Sequence, residues 1–252
     1  MLVIGNGRLV TRDPEQPFFE NGAVAMDGTT IKKVGTLEEI KKEFHDAEYV
    51  DAKGGVIMPA FINTHEHIYS AMARGLSIKG YDPKGFLDIL DGMWWTIDRH
   101  LTGEQTRQSA RATYLDSIKN GVTTVFDHHA SFGEIKDSLF AIEDAAKEMS
   151  VRTCLCYEIS DRDGMDKARA AVMENASWIK HALADDTDMI AGMMGMHAQF
   201  TISDETMELA AANKPAEVGY HIHVAEGIED LHDCLKTVSY THLRAHETKA
   251  NL

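Results

Sequence analysis

From residue 58 onward the chain alternates apolar, strand-like runs with segments of helical length, and this limits its fold more than any other feature. Strands are expected at Phe61–Asn63, Val122–Asp127, Val151–Glu158, Met189–Met196 and Val218–Val224. Between them, Thr102-Gly103-Glu104-Gln105 is a capping-box signal that starts a helix running to Asn120, with Gly121 just past its end. Further helices are expected at Glu134–Met149, Met165–Leu183 and, capped by Ser203, toward Asn213. Near-continuous apolar strands joined by helices form a parallel sheet covered on its faces. The repeat alone does not separate a (β/α)8 barrel from an open doubly wound sheet. About five βα units are present, against the eight of a complete barrel.

Residues 1–58 follow a different rule. Short strand-like runs (Leu2–Ile4, Gly7–Val10, Ala23–Met26, Thr30–Val34, Val56–Met58) surround one brief helix at Leu37–Phe44, and Asp27-Gly28 is a hairpin-turn pair. This segment is too rich in strands for the βα repeat and is expected to form an accessory β domain.

Composition narrows the partners. With 40 acidic against 25 basic residues the net charge is −15, and no basic stripe offsets it. A nucleic-acid backbone or an anionic membrane surface is therefore a poor partner. No run approaches the roughly 18 apolar residues of a membrane span, and no secretory leader is evident at the N-terminus. Cys154, Cys156 and Cys234 are too few for a disulfide framework, which fits a reducing cytoplasm. The first two read as buried strand residues.

Histidines concentrate where a parallel α/β fold places its chemistry, at the C-terminal ends of strands. They occur as His65-x-His67, Asp127-His128-His129, His197 and His221-x-His223, the last followed by Glu226. Residues i and i+2 of a strand share a face, so His65 and His67 can present two imidazoles to one ion. Neutral imidazoles suit Zn²⁺, with Fe²⁺ as the alternative, and leave enough charge on the ion to generate hydroxide near neutral pH. A nearby carboxylate must then move the proton, and Glu226 is the candidate. Glu66 points the other way in an extended strand. His197 is placed to touch a substrate carbonyl, ring nitrogen or oxyanion. Arg74 either holds substrate or braces its loop, and Trp94 and Trp95 either stack a planar ring or pack as a lid. Asp127, His128 and His129 offer a second ligand or, in preference, support and pocket lining.

Pro59-Ala-Phe-Ile-Asn-Thr-His-Glu-His67, Arg74-Gly75, Gly121-Val-Thr-Thr-Val125, Met196-His-Ala-Gln-Phe-Thr-Ile-Ser203 and His221-Ile-His-Val-Ala-Glu226 resemble the amidohydrolase superfamily. The nearest branch is the cytosine/guanine-deaminase and chlorohydrolase-like group. The resemblance covers residues 1–236 and implies a partial (β/α)8 TIM barrel (59–236) plus the N-terminal portion (1–58) of a β-sandwich built from both chain ends. It further implies metal ligation by His65, His67 and His223, proton transfer by Glu226 and substrate contact by His197. Ala60 replaces the family's usual glycine.

The family's further ligands, a histidine after the sixth strand and an aspartate after the eighth, have no counterpart, so the chain is expected to be C-terminally truncated. Residues 237–252, including His242 and His246, are expected to be a non-native tail. The implied activity is hydrolysis of a non-peptide C–N bond, a deamination of a nitrogen heterocycle by hydroxide generated at the metal. Amide or C–Cl hydrolysis, or an inactive metal-binding fragment, are the alternatives. The expected partner is a small molecule, and a homo-oligomer is compatible with the full-length parent.

Overall fold

The computed structural model describes residues 1–237, so all but the first residue of the expected tail lies outside the described residues. The chain divides into two units, Met1–Ala60 and Phe61 onward.

The first unit is a five-stranded sheet. Its elements are β1 (Leu2–Val10), β2 (Phe18–Asp27), β3 (Thr30–Thr36), α1 (Leu37–Glu43), β4 (Glu48–Asp51) and β5 (Val56–Ile57). β1, β2 and β3 form an antiparallel meander, while β4 and β5 run parallel to β1 along its other edge. The β2–β3 hairpin turns at Gly28, whose φ of 55° favours glycine. Thr36 and Glu39 cap α1 reciprocally, and α1 buries Ile40 against Val3, Ala23 and Ala25. β4 was not expected: its four residues are exposed and carry no alternating pattern.

The second unit carries the parallel sheet. β6 (Phe61–Glu66), β7 (Val122–His129), β8 (Arg152–Tyr157) and β9 (Ile190–Gly192) lie side by side in chain order, all parallel. β10 (Met194–Met196) pairs with β11 (Tyr220–Ile222), and an Ile159–Met196 bridge joins this pair to the end of β8. Each strand is added beside its predecessor with no reversal of order, which is barrel winding rather than the order-reversing pattern of a doubly wound sheet.

The expected single strand at 189–196 is split at Met193, whose amide bonds to Leu155 O. A Cβ on Gly195 would stand 2.4 Å from Tyr157 O, so only glycine allows β10 to approach β8 this closely.

Between β6 and β7 the long excursion is helical. It contains a 3-10 segment (Ile68–Ala73), α2 (Phe86–Ile89), a π segment (Leu90–Trp94) and α3 (Trp95–Asp98), before α4 (Gly103–Lys119). α4 starts on the Thr102/Gln105 capping box and ends at Gly121, φ 75°. α5 (Ser138–Met149) begins four residues later than its sequence suggests. Its first turn is capped from α6 (Met165–Leu183), where Glu174 accepts the Asp137 and Leu139 amides, a long-range cap with no local signal. α7 (Asp204–Asn213) is capped by Ser203, and α8 (Ile228–Thr237) follows β11. The core joins the strand and helix faces through Val125, Leu139, Ile142, Leu155, Val172 and Trp178. Among the described residues no helix is long and apolar enough to cross a membrane.

Candidate metal centre

The strand ends of the second unit converge on a histidine cluster. His65 and His67 lie at the end of β6, His128 is the last residue but one of β7, His197 follows β10, and His221 and His223 bracket the end of β11. Donor atoms of His65, His67 and His223 all lie within 4.8 Å of one another. These three ligand candidates come from segments more than 150 residues apart in sequence, and parallel winding brings them together.

Hydrogen bonds orient the rings. His67 Nδ1 donates to His128 O at 2.9 Å, which leaves Nε2 with its lone pair for an ion. His65 Nδ1 lies 2.9 Å from His221 Nε2, and in the tautomer that donates along this contact His65 Nε2 is free as well. Asp127, fully buried in β7, accepts the Ile68 amide at 2.7 Å and fixes the chain immediately after the histidine pair. Burial and mutual repulsion favour the neutral form of His65, His128, His221 and His223. Desolvation, then the neighbouring histidines, push His223 down to about 2 and His221 to about 4, and the same causes lower His65 and His128. Neutral imidazoles with free lone pairs are what a divalent ion needs, so the residues fit a metal.

A cavity of about 190 Å³ opens beside the cluster, lined by His67, Tyr69, Phe86, Trp94, Trp95, Glu158, His197, His223 and Glu226 among others. Trp94 stands edge-on to Tyr69 and Trp95 edge-on to His197. His197 Nδ1 donates to Thr201 Oγ at 2.8 Å, because that hydroxyl donates its own proton to Ala198 O; this leaves Nε2 bare. Glu226 follows Ala225, which adopts φ 60°, a left-handed turn that bends the chain after β11. Burial, then the Asp230 and Glu158 carboxylates, raise Glu226 to about 7. Asp230 in turn accepts the Glu226 amide at 3.1 Å.

This raised value has a checkable consequence for the metal-free chain. A carboxyl whose folded value exceeds its unfolded one contributes stability that is complete below about 4.5 and lost as pH rises through about 7. The lowered histidines act oppositely, losing stability as pH falls below their ordinary 6.5. Denaturant titrations should therefore show wild type losing stability relative to Glu226→Gln between pH 4.5 and 7. A pH-independent difference between the two would contradict a raised Glu226.

Six of the seven residues expected at the site, His65, His67, His223, Glu226, His197 and Trp94, surround the cluster or its cavity. Arg74 does not. Its guanidinium is largely exposed and pairs with Asp116 of α4 at 2.8 Å, an arrangement that braces the loop. Glu66 is also turned away, accepting from Asn63 and the His67 amide. Sequence reasoning gave His221 no role and passed over Tyr69 and above all Glu158. Glu158 directly follows β8, so the strand-end rule that selected the histidines also pointed to it. Beneath Glu158 lies a buried ionic chain: Arg162 bonds both Glu158 and Asp98 and stacks 3.8 Å over Phe132.

Comparison with known proteins shows the family and the fold. The amidohydrolase family matches residues 56–251, and the chain belongs to that family. It is 26% identical over 215 residues to 5'-deoxyadenosine deaminase of Methanococcus maripaludis, covering 84% of this chain and 48% of the relative. It is 26% identical over 229 residues to 5-methylthioadenosine/S-adenosylhomocysteine deaminase of Bacillus cytotoxicus, covering 90% and 51%. The chain thus spans about half the length of these relatives. Its fold is that of the zinc-complexed atrazine chlorohydrolase TrzN of Arthrobacter aurescens (TM-score 0.75, 21% identity, 96% of this chain and 56% of that one). E. coli guanine deaminase shares it too (TM-score 0.73, 19% identity, 94% and 56%).

Proposed function

We propose that the protein is a metal-dependent aminohydrolase that removes ammonia from a small nitrogen heterocycle. The observation that carries this reading is the placement of Glu226, raised to about 7, on the same cavity as His67 and His223. His65, His67 and His223 would hold one divalent ion, Zn²⁺ before Fe²⁺ on the all-imidazole donor set. Such an ion supplies Lewis acidity that makes water a nucleophile near neutral pH.

The remaining work falls to the chain itself. Glu226, balanced between protonated and ionised near neutrality, accepts a proton from the attacking water and delivers it to the leaving nitrogen. His197, its Nδ1 proton committed to Thr201, directs Nε2 at a polar atom of the ring. Trp94, Trp95 and Tyr69 stack the ring and exclude water. The cavity, about 190 Å³, is below the roughly 300–1,000 Å³ of drug-sized pockets, which favours a free ring over a nucleoside.

The test is product analysis on the Zn²⁺-loaded protein with amino- and chloro-substituted heterocycles. Ammonia should appear, and Glu226→Gln should slow its release by about 10²–10⁴-fold. Chloride as the sole product, or release unaffected by the substitution, would overturn the reading.

A further inference from the structure

Glu158 is a charged wall of the cavity that the proposed chemistry leaves unused. It is 3% exposed and lines the cavity opposite no protein donor except Arg162. Arg162 Nη2 donates to Oε1 at 3.3 Å. Oε2 has no hydrogen-bond donor among the described residues. The imidazole facing it, His128, has Nδ1 4.0 Å away. That nitrogen cannot help, because the ring gives its Nε2 proton to Met196 O and leaves Nδ1 bare, fully buried and without a partner. The two atoms, 4.0 Å apart, make no hydrogen bond to one another. A carboxylate oxygen on the cavity wall without a donor gains from any donor that arrives.

The carboxylate is also held still. Arg162, 4% exposed, is bonded to Asp98 and stacked on Phe132 and Trp95, so the group that fixes Oε1 cannot swing away. A ligand that donates to Oε2 meets a carboxylate already in place and pays little ordering cost. Apart from Ser70 and the groups already given roles (His67, His197, His223, Glu226), the walls are Tyr69, Phe86, Leu90, Trp94 and Trp95, which are aromatic or apolar and read shape more than hydrogen-bond pattern.

We propose that Glu158 is a specificity-determining residue that selects heterocycles carrying an N–H donor, on the ring or on an amino substituent, against rings of equal shape that lack one. This deepens the proposed function and rests on it for the identity of the cavity as the substrate site. A site built around a buried hydrogen-bonding group rejects the analogue that leaves the group unpaired far better than an apolar pocket rejects a change of size.

The experiment is calorimetric titration of the Zn²⁺-loaded chain with triaminotriazine and with trimethyltriazine, which match in shape and differ in donors. Wild type should bind the triamino ring tighter by about tenfold or more, the worth of one hydrogen bond to a charged group. Glu158→Gln should bring the two ligands within about threefold of each other, the drop expected when that bond loses its charge. Glu158→Asp, which keeps Arg162 paired but withdraws the carboxylate by one methylene, should do the same and serves if the Gln variant fails to fold. Equal binding by wild type, no binding of either ring, or a preference that survives both substitutions would overturn the assignment. Zinc content of the same samples separates the two failures. Zinc bound without donor selection defeats only the role of Glu158, whereas Glu158-dependent selection without zinc defeats the hydrolase reading.

Discussion

Replacing His67 with alanine should lower Zn²⁺ affinity by at least about 100-fold, because changes merely behind a ligand already cost 10–100-fold. The effect should be specific. His65, His67 and His223 form one candidate ligand group, while His128, Glu158 and His223 form another that shares a single member with it. His223→Ala should therefore weaken binding in either arrangement and decides nothing alone. His128→Ala decides: its backbone carbonyl, which orients His67, survives the substitution, so affinity should fall by less than about tenfold if the first group holds the ion. Competition against a chromophoric chelator reads both values, and the opposite ranking would move the site to the buried group.

Removing Arg162 should have the largest effect on stability. Arg162, Asp98 and Glu158 have side chains at most 4% exposed, and Arg162 is the cation shared by the two carboxylates. Arg162→Met fits the space above Phe132 but strands two buried acids, and breaking a buried pair in this way costs about 3–5 kcal/mol. Denaturant unfolding should show that loss. Adding Asp98→Asn and Glu158→Gln to Arg162→Met should recover much of it, because the penalty comes from the unpaired charges more than from lost packing. A loss below about 1 kcal/mol, the range of exposed pairs, would mean that water reaches the network.

The parts of this molecule legible in its sequence are those governed by local rules. α4 and α6 begin and end where the capping box, Gly121 and apolar periodicity place them. The histidines were found because they sit at strand ends, a position parallel folds reserve for chemistry. What escaped depends on contacts distant in sequence. The late start of α5 is set by Glu174 from another helix, and the break at Met193 by the approach of Gly195 to Tyr157. β4 is exposed throughout and gives no pattern to read. Glu158 differs: its strand-end position was legible, and what the sequence did not show is the Arg162–Asp98 pair beneath it that lets a carboxylate be buried there.

The central claim is that three imidazoles from the first and last described strands of the parallel unit form one metal site. Anomalous diffraction at the zinc edge from crystals of the Zn²⁺-loaded protein tests it most directly. The account predicts one ion about 2.0–2.1 Å from a ring nitrogen of each of His65, His67 and His223, with Glu226 facing it across the cavity. An ion bound by His128 and Glu158 instead, or no ion at the cluster, would contradict it.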